Sequence, residues 1–202
     1  MAKIDKTIMD KGLLIIISGP SGVGKGTIRQ EVMKDTALNL FYSVSMTTRP
    51  KRAGEVEGRE YYFVSEAEFQ KNIDNGNLLE HASFVGHHYG TPKNKVEAMR
   101  DAGKNVILEI EVNGAAQVMK KYPKEDVVSI FLMPPSLEAL EARIRGRSTE
   151  GEDVIEQRLA KARKEVSLKG NYKYVVTNDD VIRASNEIRS ILRDEISAKS
   201  KA

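Results

Sequence analysis

An apolar run that ends abruptly on a glycine-rich turn constrains this chain more than any other feature. Leu13-Leu14-Ile15-Ile16-Ile17-Ser18 leads directly into Gly19-Pro20-Ser21-Gly22-Val23-Gly24-Lys25, and a helical pattern starts at once behind it. A buried strand, a tight loop and a helix in that order fit the spacing G-x-x-x-x-G-K. Glycines let several backbone N–H groups turn toward one anion. The following helix adds the positive end of its dipole, and Lys25 adds a full charge. The loop therefore predicts phosphate bound along Gly19, Pro20, Ser21, Gly22, Val23, Gly24, Lys25, Gly26 and Thr27. It departs from the usual pattern at one point: Gly26 stands where a hydroxyl residue is expected, and Thr27 follows one step later.

The rest of the chain repeats the alternation that this unit begins. Short apolar runs, Leu13–Ser18, Val106–Glu111, Val127–Leu132 and Tyr174–Thr177, read as strands of a parallel sheet. Helices are expected at Lys25–Lys34, Pro92–Ala102, Leu137–Arg145, Glu152–Ser167 and Asp180–Ser197. For the second of these, Thr91 is read as the N-cap, Pro92 as the first helical residue and Gly103 as the stop. Residues 45–91 break the rhythm with short strands, turns and one helix announced by the capping box Ser65-Glu66-Ala67-Glu68. The expected architecture is an α/β three-layer fold on a parallel sheet, with an inserted, mostly β subdomain and a helical lid. All of 1–202 reads as one domain: a core of 12–44, 92–140 and 168–202, the insertion at 45–91, and the lid at 141–167. Arg147 to Glu152 reads as the hinge of that lid.

Composition narrows the class. Hydrophobic residues are 40% and charged residues 30% of 202, ordinary for a globular α/β chain. No apolar run approaches the ~20 residues that span a bilayer, and the N-terminus lacks the apolar stretch of a signal peptide. With no cysteine, disulfides and thiolate metal sites are excluded, which suits the cytoplasm. A net charge of +3 argues against a broad nucleic-acid surface while leaving room for a local anion pocket. Two basic knots, Arg49-Pro50-Lys51-Arg52 and Arg143 to Arg147, supply candidates for one.

A phosphate loop serves many chemistries, so the acceptor must be read elsewhere. Ser43-Val44-Ser45-Met46-Thr47-Thr48-Arg49-Pro50-Lys51-Arg52-Ala53-Gly54-Glu55 is closely similar to the signature segment of guanylate kinases. The resemblance continues through Tyr61-Tyr62-Phe63-Val64-Ser65, Glu80, Tyr89-Gly90-Thr91, Leu108 to Gly114, Arg143 to Thr149 and Asn178-Asp179-Asp180. It covers nearly the whole chain in order. The Gly-Lys-Gly-Thr ending of the loop likewise resembles nucleoside-monophosphate kinases.

The resemblance implies phosphoryl transfer from ATP to GMP, and to dGMP, giving ADP and GDP, with Mg²⁺ as cofactor and a role in purine nucleotide metabolism. It implies that Arg49, Arg52, Tyr61 and Tyr89 grip the GMP phosphate, and that Ser45, Glu80 and Thr91 read guanine. Guanidinium forks suit phosphate oxygens. A carboxylate at Glu80 accepts from the N1–H and amino group that adenine does not offer together. Glu109 and Glu111, two apart on an expected strand, should face the same way. Glu109, with Thr27, is assigned to Mg²⁺, through water in some arrangements; Glu111 goes to guanine or the acceptor side. Family members often carry aspartate at one or both of these positions. Arg143, Arg147 and Arg158 would contact the ATP phosphates, with Lys25, Arg49 and these three forming the catalytic set, and Asn178 would lie on the adenine side. ATP and GMP are the expected partners, with neither nucleic acid nor membrane; a homo-oligomer is left open.

Other candidates are set aside. Adjacent His87-His88 on a strand would face opposite ways and cannot share a metal. Only one of Tyr61 and Tyr62 can enter a site, and Arg145 and Lys51 read as solvent-facing. A protein-binding module of the same family would be expected to carry a degraded loop, whereas Lys25 and the glycines are intact. A kinase for AMP or UMP conflicts with Glu80, Ser45 and Thr91. A GTPase would need an N-K-x-D motif, which is absent.

Overall fold

A computed structural model of the chain describes residues 10–84, 86–147 and 151–201. The strands are β1 (Leu14–Ser18), β2 (Leu40–Tyr42), β3 (Met46–Thr47), β4 (Tyr62–Phe63), β5 (Leu78–Phe84), β6 (His87–Pro92), β7 (Asn105–Glu109), β8 (Val127–Met133) and β9 (Tyr174–Thr177). The helices are α1 (Lys25–Val32), α2 (Glu66–Asp74), α3 (Lys93–Asp101), α4 (Val112–Lys121), α5 (Leu137–Arg147), α6 (Glu152–Val166) and α7 (Val181–Lys199).

Five strands form a parallel sheet in the order β2-β7-β1-β8-β9. β1 is buried on both faces, so its side chains divide by parity. Leu13, Ile15 and Ile17 join Ile28, Val32, Leu159, Ile188 and Leu192 on one side. Leu14 and Ile16 join Val96, Ala115, Val118 and Phe131 on the other. Helices α1, α6 and α7 thus cover one face, and α3 and α4 the other. This is the α/β fold with a parallel core that the periodicity predicts.

Because the two neighbours of β1 are reached by separate crossovers, a crevice opens beyond its carboxyl end, the usual ligand position in open α/β sheets. A second, mixed sheet of order β4-β3-β6-β5 stands apart from the first. In it, β5 and β6 pair as an antiparallel hairpin. Ser65 caps α2 by accepting from Glu68 N, as its capping box predicts.

Four local expectations need correction. β7 ends at Glu109, and Glu111 is not a strand residue: it is the N-cap of α4, its carboxylate accepting from Gly114 N at 3.0 Å. α4 itself has no counterpart among the expected helices, because its start lies hidden behind an apolar run that reads as continuing strand. Thr91 does not cap α3: it belongs to β6, Pro92 takes the cap position, and no side chain caps that helix. β2 was too short and too half-buried to register as a strand.

Candidate active site

A cleft of about 820 Å³ opens between the phosphate loop, the mixed sheet and α6. At its floor the loop joins β1 to α1. Gly19 and Gly24 adopt positive φ (144° and 100°), and a Cβ at Gly19 would lie 2.5 Å from Leu132 O. Gly24 is the N-cap of α1 and brings no capping side chain, so the first N–H groups of the helix are left for an incoming anion. The Lys25 ammonium donates to Gly19 O (2.7 Å) and Pro20 O (3.1 Å). Burial holds its pKa below the ordinary lysine value, while the Glu109 carboxylate opposes that shift. Ser21, Gly22, Gly24, Lys25, Gly26 and Thr27 line the cleft; Gly19, Pro20 and Val23 form the loop behind them.

Asn178 and Arg143 stand behind the loop and do not line the cleft. Asn178 is buried and donates from Nδ2 to Val23 O at 2.7 Å. Arg143 donates to Val23 O (3.4 Å) and Asn178 O (3.1 Å). Both support the loop from outside, and neither reaches the cleft lining. Arg158 does line the cleft and donates to Ser21 Oγ at 3.2 Å. The side chain of Arg147, and residues 148–150 of the expected hinge, lie outside the described residues.

The opposite wall comes from the mixed sheet. Ser45, Arg49, Arg52, Tyr61, Glu80 and Tyr89 all line the cleft. Arg49 forms a two-pronged ion pair with Glu55 (2.6 and 3.0 Å), and the same carboxylate accepts from Arg52 N at 2.8 Å. The Tyr61 and Tyr89 rings meet edge to face at 5.8 Å, beside the Arg49 guanidinium. Tyr62 points elsewhere, with Lys95 over its ring. Glu80 is 3% exposed, and burial pushes its pKa up to about 7 against the hydrogen bond from Thr91. Thr91 does not reach the cleft lining; its hydroxyl donates to Glu80 Oε1 at 2.6 Å.

Glu109 and Glu111 both reach the cleft, although from a strand end and a helix cap. Glu109 is held by Arg29, Nε to Oε2 at 2.8 Å, and that guanidinium lies 3.8 Å from the centroid of the Tyr42 ring. Sequence reasoning passed over Arg29, Glu55, Lys161 and Glu165. Lys161 pairs with Glu111 (3.3 Å) and Glu165 (3.5 Å) and sits over the Phe84 ring. Glu165 is buried; burial raises its pKa, and one oxygen has no hydrogen-bond partner. Glu55 lies inside the signature segment and could have been found there; the other three carry no local signal.

No group of three or more metal-ligating side chains exists among the described residues. A divalent ion would therefore have to arrive with phosphates and waters in its shell, the usual habit of Mg²⁺. Thr27 on the cleft wall and the Glu109 carboxylate, one of whose oxygens is already taken by Arg29, suit that sparse provision. Arg145 is spent on Glu141, Glu152 and Glu156, and His88 on Ser83 and Glu66. No helix among the described residues is long and apolar enough to cross a membrane.

Comparison with known proteins agrees with this geometry. Residues 11–195 match the family model described as guanylate kinase. The chain is 56% identical over 183 residues to a guanylate kinase of Mesoplasma florum, covering 91% of this chain and 61% of that one. It is 50% identical over 186 residues to one of Streptococcus thermophilus, covering 92% and 88%. The chain thus spans about three fifths of the length of the first of these curated relatives, and most of the second. A crystal structure of guanylate kinase from Anaplasma phagocytophilum superposes with a TM-score of 0.77 at 36% identity, covering 93% of this chain and 88% of that one.

Proposed function

The chain belongs to the guanylate kinase family, and from that membership we propose that it transfers the γ-phosphoryl group of ATP to GMP, and to dGMP, giving ADP and GDP. The observation that carries this reading is one cleft with a phosphate loop on its floor and a buried carboxylate, Glu80, on its opposite wall. The loop suits a polyphosphate and the carboxylate suits the donor edge of guanine. The reaction is a step in purine nucleotide metabolism and belongs in the cytoplasm, where both nucleotides circulate.

Phosphoryl transfer needs alignment and charge stabilisation more than covalent chemistry. The loop N–H groups take the donor phosphates, and Lys25 leaves its two carbonyl partners for phosphate oxygens. Arg158 adds positive charge on the donor side, while Arg143 acts through the loop it supports. Arg49, Arg52, Tyr61 and Tyr89 hold the acceptor phosphate, with Glu55 keeping the Arg49 fork in place beforehand. Ser45 and Glu80 read the base, Thr91 orients Glu80, and Glu111 borders the acceptor side. Mg²⁺ bound with ATP supplies further charge neutralisation on the phosphates, held near Thr27 and Glu109. The segment 45–91 acts as the acceptor-binding part and 141–167 as the lid, closing together to exclude water.

A coupled assay of ADP release from ATP·Mg²⁺ with GMP, dGMP, AMP, UMP or CMP tests the reading. Turnover is expected with GMP and dGMP. Equal rates with AMP would overturn guanine selection, and GMP binding without turnover would point to a protein-binding module instead. Lys25→Met should lower turnover by about 10²-fold or more while the fold survives, because a donor aimed at developing charge is lost.

A further inference from the structure

Gly114 lies in the first turn of α4, and nothing in its backbone asks for glycine. Its φ is not positive, and it sits at the third helical residue, where alanine is favoured over glycine. What it meets is a side chain. A Cβ built there would lie 2.2 Å from Glu80 Oε2, 2.9 Å from Cδ and 3.4 Å from Cγ. Its own N–H is taken by Glu111, so two carboxylates converge on this one residue. Glu80 is held on its other side by the Thr91 hydroxyl at 2.6 Å. The carboxylate is therefore seated between a hydroxyl and a bare Cα, in a slot that only an absent side chain leaves open.

We propose that Gly114 is a specificity-determining position: its missing side chain is the slot that seats Glu80 for reading the base. Gly114 does not touch the substrate. It acts through Glu80 as a positioning residue, and the proposal rests on the guanine-reading role given to that carboxylate above. The three atoms nearest a methyl group at 114 all belong to one flexible side chain, that of Glu80. The fold should survive and the carboxylate should swing off Thr91.

The test is Gly114→Ala, in the wild-type and in the Glu80→Ala background, read by steady-state kinetics, thermal unfolding and a crystal structure. In the wild-type background KM for GMP should rise about 10- to 100-fold, the loss of one or two buried hydrogen bonds, with KM for ATP unchanged. In the Glu80→Ala background, where the three atoms nearest the methyl group are gone, the same change should leave KM for GMP where Glu80→Ala alone puts it. There it should also raise Tm, as alanine favours the helix. The crystal structure of Gly114→Ala should show Glu80 no longer bonded to Thr91. Glu80 still on Thr91, an unchanged KM for GMP, or an equal cost in both backgrounds would each overturn the inference. Failure of the wild-type chain to release ADP with GMP would overturn the kinase reading instead, and the crystal structure would still decide the slot.

Discussion

Glu80 has its carboxyl pushed up to about 7 by burial, with the neighbouring Glu111 charge adding to the shift and Thr91 and Lys121 opposing it. In the proposed reading the N1–H and amino group of guanine both donate to Glu80, which needs its ionised form. Binding should therefore tighten as pH rises through the folded value. KM for GMP should fall between about pH 6 and pH 8 in the wild type more steeply than in Glu80→Gln, which keeps the titration of the GMP phosphate and loses this one. Glu80→Gln should also raise KM for GMP about 10- to 100-fold with ATP affinity spared, because a buried acceptor pair is replaced by a mismatched amide. Stability follows the opposite sign. A carboxyl whose folded pKa lies above its ordinary 4.5 favours the folded state while protonated, and that contribution is lost as pH rises from 4.5 to about 7. Denaturation of both proteins across that window would show Glu80→Gln gaining relative to wild type as pH rises; parallel curves would refute the shift.

Among the elements, α4 shows most clearly what a short motif conceals. Leu108-Glu109-Ile110-Glu111-Val112 alternates like a strand, and both acids were expected on one. The chain instead leaves the sheet after Glu109, and Glu111 turns its carboxylate back onto Gly114 N. Alternation cannot distinguish a sixth strand residue from a helix cap, because a cap residue is itself extended: Glu111 has φ −78° and ψ 168°. Glu111→Ala should cost about 1 kcal/mol in urea denaturation, and Glu111→Asp, with its shorter capping carboxylate, much less. Equal stability of Ala and wild type would mean that the cap does not hold the helix. Thr91 is the converse case. A threonine before proline reads as a cap, yet its hydroxyl is claimed by Glu80, eleven residues back on the paired strand of a hairpin.

At the scale of the whole molecule, one buried cation fastens distant parts of the core. Arg100, 1% exposed in its side chain, donates to Gly12 O at 2.8 Å and pairs with Asp126 (2.9 Å) and Glu97 (3.4 Å). Asp126 also takes Lys199, near the end of α7. The arrangement joins the entry to β1, helix α3, the approach to β8 and the last helix. Arg100→Met should destabilise by about 3 kcal/mol in urea unfolding, the lower end for a buried pair because both acids stay partly exposed. Burial pushes the Asp126 carboxyl up, but Lys199 and Arg100 together hold it below its ordinary 3.8. Its contribution is thus present above that value and lost as pH falls through the depressed one. The variant should lose less stability than wild type on acidification below about pH 4; an equal loss would refute the coupling.

What the residue order decided unaided is everything that depends on neighbours along the chain. The apolar run ending at Ser18, the glycines that turn the loop, Lys25 behind them, the alternation of strand and helix, and the box that caps α2 are all local physics. Glycine, proline and period-two or period-3.6 patterns impose themselves within a few residues. The family resemblance extended that reach to Arg49, Arg52, Tyr61 and Glu80, all of which the folded chain brings to one cleft. Only the tertiary structure could decide contacts between residues remote in sequence. Asn178 props Val23 from 155 positions away, Arg29 claims Glu109 from 80, and Lys161 reaches Glu111 from 50. Such pairs form because burial leaves polar groups no water and forces each to find a partner, and no local pattern records which partner that is. Gly114 belongs with them: its meaning lies in Glu80, which the sheet and α4 bring against it from opposite sides.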